Sequence, residues 1–262
     1  MLRRFRVRGP LSLLDGAAFG QRFLVTLTMM GQTKMNPAVT APGDSSTGEI
    51  VAAFVGRELA LNASQPAPEW DSAGAIAFCS DWQGGNPDPG RETHVRVLWS
   101  PETLYLRFEC GYRDLHVFAD SEPNGRRDQL WDCDVAEAFL QPDPSRPRAY
   151  KEFEVSPNGM WIDLDIDLDK KPDVKSDLNS GLRQSVVLDD KAHTWAAELA
   201  IPMRALTERF DPNSVWRVNF YRVEGKEEPR GYYAWQPTHT TRPNFHVPTA
   251  FGRMRFTPQP GK

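Results

Sequence analysis

The chain reads as an all-β protein, an antiparallel β-sandwich or jelly roll with one short helix. Three observations predict this class. Beyond residue 48 the dominant hydrophobic period is two. Turn-forming clusters separate the alternating runs at intervals of about ten residues. The 22 prolines among 262 residues suit short strands and loops better than long helices, because proline lacks the amide hydrogen that an interior helical turn needs.

Residues 1–48 stand apart from this pattern. Arg3, Arg4, Arg6 and Arg8 give a basic start, but Asp15, Gly16, Gln21 and Arg22 break the stretch that follows. The apolar run from Phe23 to Met30 is short and lacks a small-residue cleavage site. A cytoplasmic location is therefore expected over a secreted one, with Met29, Met30 and Met35 as alternative starts. The small, Pro/Gly-rich residues 31–48 read as a linker. One domain, residues 49–257, follows, and residues 258–262 form a tail.

Within the domain, His94–Trp99 and Leu104–Cys110 alternate around a Ser-Pro-Glu-Thr turn and read as a hairpin. Leu104, Leu106 and Phe108 share one face of it. The next strands are Val135–Leu140 and Lys151–Val155, and Ser156–Gly159 turns the second into Met160–Leu168. There Ile162, Leu164, Ile166 and Leu168 face one way, and Asp163, Asp165, Asp167 and Asp169 are expected on a wet face. Later strands are Leu182–Leu188, Thr194–Ile201, Val215–Val223, Tyr232–Trp235 and Gly252–Phe256. The short helix is expected within Pro202–Arg209.

Composition excludes several functions. Net charge is −4, without the concentrated basic surface that a nucleic-acid partner needs. No run approaches the roughly eighteen apolar residues of a spanning helix, so no membrane partner is expected. Cys79, Cys110 and Cys133 have no tight spacing and read as small apolar residues rather than a disulfide or zinc framework. The five histidines make no HExxH pattern, and no GxSxG elbow, phosphate loop or GxGxxG occurs. No metal ligands are assigned.

The informative segments are WDCDVAEAF at 131–139 and KEFEVSPNG at 151–159. They place a tryptophan and several carboxylates on two strands that should pair. A flat apolar surface beside hydrogen-bond acceptors suits a sugar, which has a C–H face and a rim of hydroxyls. Trp99, Trp161, Trp195 and Trp216 lie within strands and read as structural, and Trp235 as core.

The ordered set VRVLW (95–99), TLYLRFEC (103–110), WDCDVAEAF, YKEFEVSPNG (150–159), WAAELAIP (195–202), VWRVNFYRVE (215–224), YYAWQPT (232–238) and FHVPTAFGRMRF (245–256) resembles the family 9 carbohydrate-binding modules and their bacterial relatives, as found attached to xylanases. The resemblance implies a β-sandwich that binds an oligosaccharide or polysaccharide, such as xylan or cellulose, in carbohydrate catabolism without transforming it. A separate glycoside hydrolase is the implied partner. Sugar is held in that family between two aromatic rings, which maps the site onto Trp131 and Phe245, with Glu137 on the acidic strand. Glu154 stands where the family pattern places a basic residue, and Asn244 and Arg242 flank Phe245 as donors. Some modules of the family carry calcium. The aspartates of 163–169 cannot close a cage alone, since alternate strand residues lie nearly 7 Å apart.

Two other readings stand beside this one. Glu137 and Glu154 on adjacent strands could serve as the carboxyl pair of a glycoside hydrolase. A sandwich domain could instead be purely structural, or bind haem through His94 or His246 with Met254. His246 is the histidine that adjoins the candidate site, and its expected role is structural.

Overall fold

The computed structural model describes residues 48–119, 125–170 and 176–259. The N-terminal extension, with its alternative starts and the compartment reading that depends on them, lies outside the described residues, as does most of the tail. Among the described residues thirteen strands form: β1 (Glu49–Phe54), β2 (Ile76–Phe78), β3 (Thr93–Trp99), β4 (Thr103–Gly111), β5 (Val135–Gln141), β6 (Ala149–Val155), β7 (Trp161–Asp167), β8 (Ser176–Asp177), β9 (Arg183–Asp189), β10 (Thr194–Pro202), β11 (Trp216–Glu224), β12 (Gly231–Ala234) and β13 (Gly252–Phe256). The helix, α1, is one turn, Met203–Leu206, trimmed by Pro202 before it and extended backbone at Thr207 after it.

The strands make one curled sheet in the order β8-β7-β6-β5-β11-β13-β1-β3-β4-β10-β9, with β12 added to β11 and β2 to β3. The all-β expectation holds. Uniform antiparallel pairing does not: β1 runs parallel to β13 through Glu49–Ala52 and parallel to β3 through Ala53 and Phe54. This strand went unassigned in the sequence because EIVAAF has no clean alternation. It joins the two halves, and its burial does not alternate strictly: Ile50, Ala52 and Ala53 are buried while Val51 is exposed.

Alternation places the core between those halves. Ala136, Ala138 and Leu140 of β5 and Phe153 and Val155 of β6 meet Val95, Val97, Leu104, Leu106 and Phe108 from β3 and β4 in one apolar cluster. Trp99, Trp216 and Phe256 pack edge to face around Phe210 within it, and Trp195 and Trp235 are also buried there. The other face of β5, β6, β7 and β11 carries a second cluster, including Phe139, Tyr150, Ile162, Leu164 and Tyr221. The candidate site lies on this second face.

The expected wet face is corrected in part: Asp163 and Asp167 are buried, Asp165 is half-buried, and Asp169 is exposed as expected. Asp163 is fully buried; its Oδ2 accepts from the Ser180 amide at 2.7 Å and its Oδ1 lies 3.5 Å from Arg126 Nε. Asp165 pairs with Lys151 at 2.6 Å and Asp167 with Arg146 at 2.7 Å. Neighbouring basic residues and the 180 turn cover what the alternation alone assigned to solvent. All three cysteines are free thiols, with Cys110 and Cys133 buried and Cys79 half-buried. Burial pushes each thiol above its usual range. The haem pairing also fails on geometry. Met254 is fully buried in the core between the halves, His94 is half-exposed on β3 beside Glu92, and His246 belongs to the opposite face of β5.

Candidate functional site

The floor of the site follows from register. On the face of β5 and β6 turned away from the shared core, Glu137 sits directly opposite Glu154 and Phe139 opposite Glu152. Because side chains alternate, Glu152 and Glu154 share that face two residues apart. All three carboxylates are buried, and one oxygen from each can be chosen so that the three lie within 4.8 Å of one another. Among the described residues no other such trio of acidic, cysteine or histidine side chains forms.

These groups open into a cleft of about 220 Å3. One wall is Trp131, carried by the short 3-10 turn Leu130–Asp132 that enters β5. Gln129, at φ 57°, sets the angle of that entry. Arg230 fixes the same turn from below: its Nη2 donates to the carbonyls of Trp131 and Cys133, and its Nε to the Gly225 carbonyl at 2.8 Å. Trp131 is half-buried, so its ring is only partly covered.

The loop of Pro243, Asn244, Phe245 and His246 also lines the cleft. Phe245 is 8% exposed and stacks on Tyr221 with centroids 4.1 Å apart and planes at 10°. Tyr221 Oη donates to the Phe245 carbonyl at 3.1 Å and accepts from Asn219 Nδ2 at 2.7 Å. Burial pushes the Tyr221 phenol well above its usual range, so it remains a neutral donor. Asn244 Oδ1 accepts from the His246 amide at 3.0 Å, which shapes the loop. The His246 ring stacks on Phe139 at 5.4 Å, and its Nδ1 bonds Tyr150 Oη at 2.5 Å.

Five of the six residues singled out in the sequence thus line one cleft: Trp131, Glu137, Glu154, Asn244 and Phe245. Arg242 does not. It is exposed, with its carbonyl accepting from Thr240 Oγ1 at 2.7 Å, because the loop turns inward only at Pro243. Phe245 reaches the cleft differently from the expected open platform, since one of its faces is spent on Tyr221. Tyr232 was missed. It is half-buried, lines the cleft, and stands edge-on to Phe245 and Trp82 at 6.2 and 6.1 Å. Glu152 and Arg230 were missed as well. Strict alternation in KEFEV could have supplied Glu152, since it shares the face of Glu154; nothing local marks Tyr232 or Arg230.

Glu137 and Glu154 are close enough to cooperate, but Glu154 has no exposure and both of its carboxylate oxygens are occluded. A general acid must reach the glycosidic oxygen it protonates. The arrangement therefore offers aromatic walls over a polar floor, which is chemistry for holding a ligand.

Comparison with known proteins agrees with the fold. Residues 64–258 match the family described as carbohydrate family 9 binding domain-like. An extracellular protein of the fungus Arthroderma benhamiae is 25% identical over 179 residues, 64% of this chain and 80% of that protein. Two structures of a family 9 carbohydrate-binding module from Caldicellulosiruptor kristjanssonii, one with glucose and one with cellotriose, superpose with a TM-score of 0.58 each at 14% identity, covering 82% and 81% of this chain and 98% and 95% of theirs. A protein of Bacteroides uniformis, named as a candidate carbohydrate binder, superposes at 0.62 with 16% identity over 80% of this chain and 99% of its own. At these identities the structural likeness is one of fold.

Proposed function

The chain belongs to the carbohydrate family 9 binding-domain-like proteins, and we propose that its domain, residues 49–257, holds an oligosaccharide or polysaccharide in the Trp131 cleft without transforming it. The observation that carries this reading is the placement of two half-buried aromatic rings, Trp131 and Tyr232, around the carboxylates of β5 and β6 in one cleft.

The energetics suit binding. A ring that removes roughly 60–80 Å2 of apolar sugar surface from water contributes about 2 kcal/mol at ~25 cal/mol/Å2. A carboxylate accepting from hydroxyls adds about 1.5–3 kcal/mol per well-formed bond. Association costs several kcal/mol, so the expected dissociation constant lies between about micromolar and millimolar. None of these contacts favours a transition state over a ground state, so binding is not accompanied by turnover.

The relatives above that hold glucose and cellotriose make glucans the first ligands to try, with xylo-oligosaccharides beside them. A glycoside hydrolase that degrades the same polysaccharide is the proposed working partner. Calorimetry with glucose, cellotriose and xylotriose tests the reading: saturable binding that disappears in Trp131→Ala supports it. No binding to any glycan on an array rejects it. Reducing-sugar release that vanishes in Glu137→Gln would assign the cleft to a hydrolase instead.

A further inference from the structure

We propose that Glu137, Glu152 and Glu154 form a site for one hard divalent cation at the floor of the cleft, and that sugar hydroxyls complete its coordination. The proposal rests on the carbohydrate-binding reading of the same cleft.

The geometry points this way first. The three glutamates offer oxygens within 4.8 Å of one another. Calcium–oxygen bonds are about 2.3–2.6 Å, so three oxygens evenly spread around one ion lie within about 4.5 Å of one another, a spacing that small side-chain rotations bring within reach here. The donors are carboxylates alone, which selects calcium, magnesium or manganese over softer metals. Three carboxylates supply at most six oxygens, and their side of the ion is the protein side. The positions left over face the cleft, where vicinal hydroxyls can enter.

The second observation concerns Glu152. It is 2% exposed and its Oε2 accepts no hydrogen bond. The one basic group in ionic range of it among the described residues, His246 Nδ1, is 3.9 Å away and already bonds Tyr150 Oη. A buried carboxylate oxygen left in that state costs free energy unless a cation reaches it. The other cation lining the cleft, Arg230, spends its guanidinium on the carbonyls of Trp131, Cys133 and Gly225 and on the face of Tyr232.

Ion binding also gives the departure from the family pattern a use. Where a basic residue was expected, this strand presents Glu154, directly opposite Glu137. That register lets one ion be ligated from both strands.

The test uses the full chain, stripped with a chelator and then titrated with calcium, manganese and terbium. Expected is one ion per chain, with a dissociation constant between about micromolar and millimolar. Terbium emission should be sensitised by tryptophan excitation and should fall sharply in Trp131→Phe, a change that leaves all three glutamates in place. Affinity for the ion should drop at least about tenfold in Glu152→Gln and in Glu154→Gln. Cellotriose affinity should rise about tenfold or more when calcium is restored. Ion binding that persists in both glutamine variants overturns the proposal, and so does cellotriose affinity that is equal with chelator and with calcium. Sugar binding that is metal-independent would leave the carbohydrate reading intact. Loss of sugar binding under both conditions would strike that reading itself.

Discussion

Phe245 lies flat on Tyr221, centroids 4.1 Å apart, while Tyr221 donates its hydroxyl to the Phe245 backbone. The loop that forms one wall of the cleft is therefore anchored to β11 by a ring and a hydrogen bond together. Trp131, which lines the same cleft, is held through its carbonyl by Arg230, and its ring is only half-buried.

This difference separates two substitutions that the sequence treats alike. Phe245→Ala is expected to cost about 3 kcal/mol of stability, as removal of a buried phenylalanine does. Trp131→Ala should cost less stability but lower sugar affinity about 30-fold, the equivalent of about 2 kcal/mol. Chemical denaturation and calorimetry on both variants check the split. Equal stability losses would contradict it.

Glu198 gives a control remote from the cleft. It is 1% exposed; its Oε1 accepts from Arg107 Nη1 at 2.8 Å, and its Oε2 from the Asn62 amide at 2.8 Å. Glu198→Ala leaves the buried Arg107 guanidinium with only its longer contacts, to Glu109 and to the Ala63 carbonyl at 3.4 Å each, and should cost about 3 kcal/mol. Sugar affinity at a temperature where the variant is folded should be unchanged, because β10 lies in the other half of the sheet. A matched loss of affinity would show that the two halves are energetically coupled.

The FG pair that opens β13 has a packing cause. A Cβ on Gly252 would meet the Trp235 ring at 2.6 Å and the Gly48 carbonyl oxygen at 2.7 Å. Neither can yield cheaply, since one is a buried indole and the other backbone. Gly252→Ala should therefore destabilise by about 1–3 kcal/mol, read as a lower urea midpoint at unchanged slope.

Acid sensitivity should centre in part on Asp88. Arg113 bonds it through Nη2 at 2.6 Å and Nε at 2.9 Å, and Arg91 adds a bond at 2.6 Å. These guanidinium groups hold its carboxyl well below the usual carboxylate range. A value depressed in the folded state stabilises fully above the unfolded value of about 3.9, and the contribution is lost as pH falls below it. Urea midpoints of the protein should fall between about pH 5 and 2 more steeply than those of Asp88→Asn. Parallel curves would remove Asp88 from the account.

Alternation made most of the strands legible. The hairpin of β3 and β4, the acidic pair β5 and β6, and β13 were all placed by period and turn chemistry to within a residue or two. Glu137 and Glu154 could be set on neighbouring strands for the same reason. The strand β1 was invisible because EIVAAF has no clean alternation, and its parallel partners, β13 and β3, are joined to it by no local turn. The aspartates of β7 misled because alternation assigns a side, and what covers that side comes from elsewhere: Ser180, Arg126, Lys151 and Arg146.

By itself the sequence determined an all-β chain with a tryptophan and an acidic strand pair at its most informative point, since periodicity and residue chemistry are local properties. Tertiary structure alone decided that Glu152 joins Glu137 and Glu154, that Phe245 gives one face to Tyr221, that Tyr232 and Arg230 enter the cleft, and that Arg242 stays out. Those outcomes depend on register between strands and on where one loop docks, and long-range packing fixes both.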